Sequence, residues 1–136
     1  MADEVTRKAV LLEYCRLMNA GDLEGVLALF TPDVRFHDPV GTPPLVGLDA
    51  LRTHLAKAIE ARIEEVPGTP TAAMDQETVT LPVSGTMDVP GAPGSGRVRF
   101  RMVSVARVND AGRIFEVRII AGRTDFAPVD PAGAAV

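Results

Sequence analysis

Val34-Arg35-Phe36-His37-Asp38-Pro39-Val40-Gly41 reads as a short strand ending in a carboxylate, and the segments on either side of it decide the fold. Alternate side chains of a strand share a face, so Val34, Phe36 and Asp38 point one way while Arg35 and His37 point the other. Burying an acid disfavours its ionised form, which is how a carboxyl is tuned toward neutral pH. The same residues also fit a plain Asp-Pro turn. Upstream, Val10, Leu11, Tyr14, Leu17 and Met18 recur at three-and-four spacing, predicting an amphipathic helix from about Asp3 to Asn19 with Arg7, Lys8, Glu13 and Arg16 off its apolar stripe. Gly21 is a natural stop, and Asp22 can cap a second helix whose stripe is Leu23, Val26, Leu27 and Phe30, ended by Thr31-Pro32.

Downstream, Gly41-Thr42-Pro43-Pro44 is rich in turn formers, and Leu51, Leu55 and Ile59 predict a third helix from about Leu48 to Ile63 with His54 at its edge. Beyond Pro67 the pattern changes to alternation. Strands are expected near Thr71 to Asp75 and Thr78 to Thr86, Pro82 marking an edge or bulge in the second. Met87 to Gly96 reads as a loop. In Arg97 to Val108, Val98, Phe100, Met102, Ser104, Ala106 and Val108 share one face opposite four arginines, the strongest strand signal in the chain. Asn109-Asp110-Ala111-Gly112 is a hairpin turn into a last strand, Arg113 to Ala121, with Phe115, Val117, Ile119 and Ala121 inward. Helices first and strands later is an α+β plan: a curved, mostly antiparallel sheet with three helices on one face, enclosing a cone-shaped apolar pocket. Residues 1–127 are expected to form one domain and 128–136 a loose tail.

With 136 residues, 46% apolar and 24% charged, one core is expected. A net charge of −4 argues against nucleic acid or an anionic membrane as the main partner, since both call for a basic field. No apolar run approaches the roughly 20 residues of a membrane span. The lone Cys15 and the lack of a leader-like start suggest the cytoplasm, with Cys15 packed rather than nucleophilic. Two histidines and one cysteine at no ligand spacing make a metal site unexpected.

Three polar side chains face the apolar interior: Asp38, Tyr14 on the first helix and Ser104 on the long strand. Each has a bland alternative, as a turn residue, a satisfied core phenol and strand filler. Together they describe a site made of a base, a phenol donor and a hydroxyl. Phe30, Leu55, Phe100, Met102, Val117 and Ile119 are candidate substrate-lining residues, and His54 is either at the cavity mouth or simply on the surface.

The segments Asn19 to Phe30, His37-Asp38-Pro39-Val40-Gly41 and Pro44 to Gly47 resemble the bacterial Δ5-3-ketosteroid isomerases. These belong to the cone-shaped nuclear-transport-factor-2-like (NTF2-like) superfamily, which also holds polyketide cyclases and limonene epoxide hydrolases. The resemblance is close over about Val10 to Leu51 and weaker over Arg97 to Gly122. It implies a cofactor-independent steroid delta-isomerase, Asp38 moving a proton as general base and Tyr14 donating to a dienolate oxygen. It also implies a hydrophobic, steroid-like substrate and a homodimer formed through the sheet, where outward Val103 and Val105 sit among arginines. Two positions depart from the family. Ser104 stands where a protonated aspartic acid is the second oxyanion donor, and Leu55 where some members place a supporting tyrosine. A polyketide cyclase-like enzyme and a non-catalytic binder of a hydrophobic small molecule are the alternatives. Epoxide hydrolysis is set aside, because it calls for a water held between two carboxylates and an arginine, and one inward acid is legible.

Overall fold

Asp3 starts the first helix, α1 (Glu4–Ala20), by accepting the Thr6 N–H at 2.7 Å, and Gly21 ends it in a left-handed conformation with φ of 70°. The computed structural model describes residues 2–92 and 94–129. Arg7, expected off the apolar stripe, is 2% exposed because the turn between Ala73 and Thr78 covers the start of α1; its guanidinium donates to the carbonyls of Ala2, Ala73 and Thr78. Asp22 caps α2 (Leu23–Leu27) through the Gly25 N–H, but that helix is shorter than expected. Phe30 opens β1 (Phe30–His37) instead, and the strand accommodates Pro32 at an irregularity in its register between Phe30 and Arg35.

A short β2 (Leu45–Val46) turns back along β1 before α3 (Leu48–Glu60), which presents buried Leu51 and Leu55. This helix stops three residues earlier than its periodicity suggests. Arg62 adopts a left-handed φ of 53°, and the chain continues as β3 (Glu64–Pro67), a strand the sequence reading did not contain. The expected strand at Thr71 to Asp75 is only β4 (Thr71–Ala72), and the next is the longer β5 (Thr78–Asp88). Pro82 sits on the outer edge of β5, between the stretches paired with β3 and β4, where no ladder hydrogen bond is lost. β6 (Arg97–Val108) matches its expected bounds, and β7 (Ile114–Ile120) follows the turn that Asn109 holds by accepting from the N–H groups of Ala111 and Arg113. β8 (Phe126–Pro128) pairs with β6, so Pro128 is part of the sheet; residues 130–136 of the expected tail lie outside the described residues.

One inward assignment fails. A bulge between Arg107 and Val108 shifts the register, so Ile114 fills the core and Phe115 lies under the Arg107 guanidinium, 4.8 Å from its carbon to the ring centre.

The strands form an eight-stranded sheet in the order β2-β1-β7-β6-β5-β3, with β4 on β5 and β8 on β6. Only β1–β7 is parallel among the named pairs of the described residues. This is the expected α+β architecture, a curved open sheet carrying three helices. Val34, Phe36, Leu81, Phe100, Ala106, Val117 and Ile119 bury the sheet's inner face against the helices.

Candidate active site

Four elements bring ionisable side chains to one interior: α1, the end of β1, α3 and β3. Tyr14, at the middle of α1, packs edge-on against Phe30 with ring centres 5.9 Å apart; Phe30 meets Phe36 at 6.1 Å, and Phe36 meets His54 at 6.1 Å. This aromatic chain connects the phenol to the imidazole. Burial holds the Tyr14 phenol well above its ordinary 10.0, and the charges of Glu65, Asp38 and Cys15 add to the shift. At neutral pH the group is a hydrogen-bond donor.

Asp38 follows the last residue of β1, as its place after Val34 and Phe36 implies. It is not the dry acid that the sequence suggests. Its side chain is 33% exposed, and its Oδ2 lies 2.7 Å from Nε2 of His54, whose side chain is 34% exposed. His54 therefore belongs to the site as the partner of Asp38.

The acid that burial does perturb is Glu65, which the sequence reading missed. On β3, Glu64 and Val66 face out and Glu65 faces in, 4% exposed. Burial pushes its carboxyl from 4.5 up to about 8, with the charge of Asp38 contributing. Oε1 is buried and has no hydrogen-bond partner. The backbone at this residue is held by Asn19 at the end of α1. The Asn19 amide donates to the Glu65 carbonyl at 2.8 Å and accepts the Glu65 N–H at 2.6 Å, serving as a one-residue strand along the open edge of β3. On the other side Gly85 pairs with Glu65, and a Cβ there would stand 2.0 Å from the Glu64 carbonyl oxygen, so only glycine lets the strands approach.

Ser104 is buried on β6 between partners Leu81 and Ile119. Phe30, Leu55, Phe100, Val117 and Ile119 are core residues, and Met102 is half-buried on the same strand face as Ser104. Cys15 is buried with its thiol pushed up to about 12, which leaves no thiolate to act as nucleophile. Among the described residues no cluster of His, Cys, Asp or Glu is arranged to hold a metal ion, and no helix is long and apolar enough to cross a membrane.

The model of the SnoaL-like domain matches residues 11–117. The chain belongs to the SnoaL-like family. Within the NTF2-like superfamily, the proteins it matches at 30% identity and above are named for epoxide chemistry. It is 49% identical over 125 residues to the epoxide hydrolase LasB of Streptomyces lasalocidi, covering 92% of this chain and 44% of LasB. The chain thus spans less than half the length of that relative. Among solved structures it is similar to SalBIII, an epoxide hydrolase/cyclase-like enzyme with a role in pyran ring formation in polyether salinomycin: TM-score 0.90 and 30% identity over 94% of this chain and 99% of that one. RV0760c from Mycobacterium tuberculosis, solved with estradiol-17beta-hemisuccinate, has a TM-score of 0.80 at 22% identity over 89% of this chain and 97% of its own, and shares the fold.

These relatives overturn the expected ketosteroid isomerase activity. Glu65 is buried and feels the charge of Asp38, so the second inward acid that epoxide opening calls for is present.

Proposed function

We propose that this SnoaL-like chain is an enzyme that opens an epoxide on a hydrophobic, polyketide-derived substrate. It makes a cyclic ether when the nucleophile is a hydroxyl of the same molecule, and a diol when the nucleophile is water. The observation that carries this reading is the Glu65 carboxyl, buried, unpartnered at Oε1 and raised to about 8 beside a second acid. Such a group keeps its proton at neutral pH and can give it to the epoxide oxygen as the carbon–oxygen bond breaks. Asp38, partly exposed, takes the proton of the attacking hydroxyl. Tyr14 donates a hydrogen bond to the oxygen that gains charge. LasB, similar in sequence, and SalBIII, similar in sequence and fold, support the reaction class.

The inner sheet face supplies the apolar lining, with Phe100, Met102, Val117 and Ile119 as substrate-facing candidates and Ser104 as a hydroxyl among them. An apolar wall also holds a flexible polyether precursor in a folded, near-attack shape, which is where an internal nucleophile gains over water. No cofactor enters the scheme. Residues 1–127 are taken as one catalytic domain.

The test is an apolar chain bearing an epoxide and an internal hydroxyl, incubated with enzyme and separated by chromatography coupled to mass spectrometry. Cyclisation leaves the mass unchanged, and hydrolysis adds one water. Turnover above the buffer rate that disappears with Asp38→Asn is the expected result. Product formation at the uncatalysed rate rejects the proposal.

The same reading includes a homodimer through the outer sheet face, where Val103 and Ile120 are 40% and 53% exposed around the Arg101–Asp125 ion pair. Light scattering at micromolar concentration should give twice the chain mass; a monomer mass contradicts it.

A further inference from the structure

Opening an epoxide with two acids leaves both in the wrong state for a second turnover. One carbon–oxygen bond has broken and another has formed. The proton of the attacking hydroxyl is now on Asp38, and Glu65 has given its own proton to the former epoxide oxygen. The next cycle needs Asp38 emptied and Glu65 refilled. Asp38 has one hydrogen-bond partner suited to the first task. Its Oδ2 is 2.7 Å from Nε2 of His54, and the imidazole is about one-third exposed, so one end of the ring meets the carboxyl while part of it reaches solvent. An imidazole accepts a proton on one nitrogen and releases one from the other, which no other side chain does near neutral pH. The ring is also held in place: it leans on Phe36 with ring centres 6.1 Å apart, and buried Leu51 and Leu55 fix α3 on either side of it in sequence. Because His54 engages Oδ2, the other carboxylate oxygen is left for the nucleophile.

We propose that His54 is the proton outlet of the site, holding Asp38 through Nε2 and passing the captured proton to solvent through Nδ1 between turnovers. This rests on the epoxide-opening reading above. The step balances: the Asp38 O–H proton moves to a bare Nε2, the Nδ1 proton leaves to water, exchange with solvent then returns the ring to the Nδ1–H tautomer, and Glu65 takes one proton from solvent once the product has left. His54 acts through Asp38 and touches no reacting atom, so it is a positioning and relay residue.

His54→Gln in the full chain separates relay from mere support, since a glutamine amide can still donate to Asp38 but cannot pass a proton on. With enzyme in excess, the single-turnover rate should stay within about twofold of the parent. Steady-state kcat should fall roughly tenfold or more. Imidazole added at constant pH should restore it. An equal fall in both rates, no fall in either, or a loss that imidazole does not rescue overturns the relay. If the parent itself opens no epoxide, the proposed function fails and a substrate-free measurement still decides the pairing. The ring nitrogen-15 shifts of His54 should move on Asp38→Asn, and unchanged shifts overturn it.

Discussion

Asp38 and Glu65 carry the same functional group in opposite settings. Asp38 lies where β1 stops, a third exposed and bonded to an imidazole; Glu65 lies within β3, 4% exposed, with a bare buried oxygen. The backbone of Glu65 is tightly held by Asn19 and Gly85, whereas its carboxyl is left without a partner. In the proposed reaction these two settings divide one kind of side chain into a proton acceptor and a proton donor. It also locates the dry part of the site on the α1–β3 side, away from the strand end that the sequence makes most conspicuous.

The strongest way to break this division is to remove the donor. Glu65→Gln keeps the shape and loses the transferable proton, and kcat for epoxide opening should fall by roughly 10²–10⁴. In the parent, the rate should be lost as pH rises through about 8, because the protonated form of Glu65 is the active one. A high-pH fall that persists at the same midpoint in an active Glu65→Gln variant would assign it to another group.

The same carboxyl should make the fold pH-dependent. Its proton is held in the folded state up to about 8 but only to about 4.5 in the unfolded chain. Between those values the folded state binds more protons, so stability is full below the lower value and declines as pH rises through the upper one. At roughly 1.4 kcal/mol per unit the total is on the order of 5 kcal/mol. Urea unfolding at pH 5 and pH 9 should differ in that direction, and Glu65→Gln should flatten the difference. Equal slopes in parent and variant would mean that Glu65 is not a buried acid.

Much of the frame is legible in the sequence. The stripe on α1, the Gly21 stop, the Asp22 cap and the alternation of β6 all follow from residue spacing, and Tyr14 and Asp38 come with them. Glu65 escapes for a local reason. The helical spacing of Leu51, Leu55 and Ile59 runs on to Ile63, and the actual break is Arg62 in a left-handed conformation, with no glycine or proline to announce it. Two adjacent glutamates after a helix read as solvated surface. Only when Glu64–Pro67 is known to be a strand does alternation force one of them inward. His54 is legible as a candidate at the cavity mouth, but its pairing with Asp38 escapes for a different reason, since the partner is on another element and no local pattern records it. The β6–β7 bulge hides Phe115 in the same way, because strict alternation carries no mark of an extra residue.

A smaller effect sharpens the geometry of the donor. Asn19→Ala removes both hydrogen bonds to the Glu65 backbone, costing about 1–3 kcal/mol of stability and displacing the carboxyl. The expected readout is kcat lowered about tenfold with KM little changed, since a misplaced acid weakens the transition state more than substrate binding. Loss in KM alone would mean that the clamp shapes the pocket and not the proton.

The smallest effect should be at Ser104, and its smallness is informative. The resemblance to steroid isomerases makes this position the second oxyanion donor, whereas the structure provides a carboxylic acid elsewhere, on β3. A serine hydroxyl on the inner face of β6 can add one neutral hydrogen bond to substrate or intermediate, worth about 0.5–1.5 kcal/mol. Ser104→Ala should therefore lower kcat by roughly 2- to 10-fold, leave the high-pH fall of the rate in place, and keep the fold, since Leu81 and Ile119 still flank an apolar side chain. If Ser104→Ala instead costs as much as Glu65→Gln, the donor lies on β6, and the buried glutamic acid serves to shape the electrostatics around Asp38 rather than to deliver a proton.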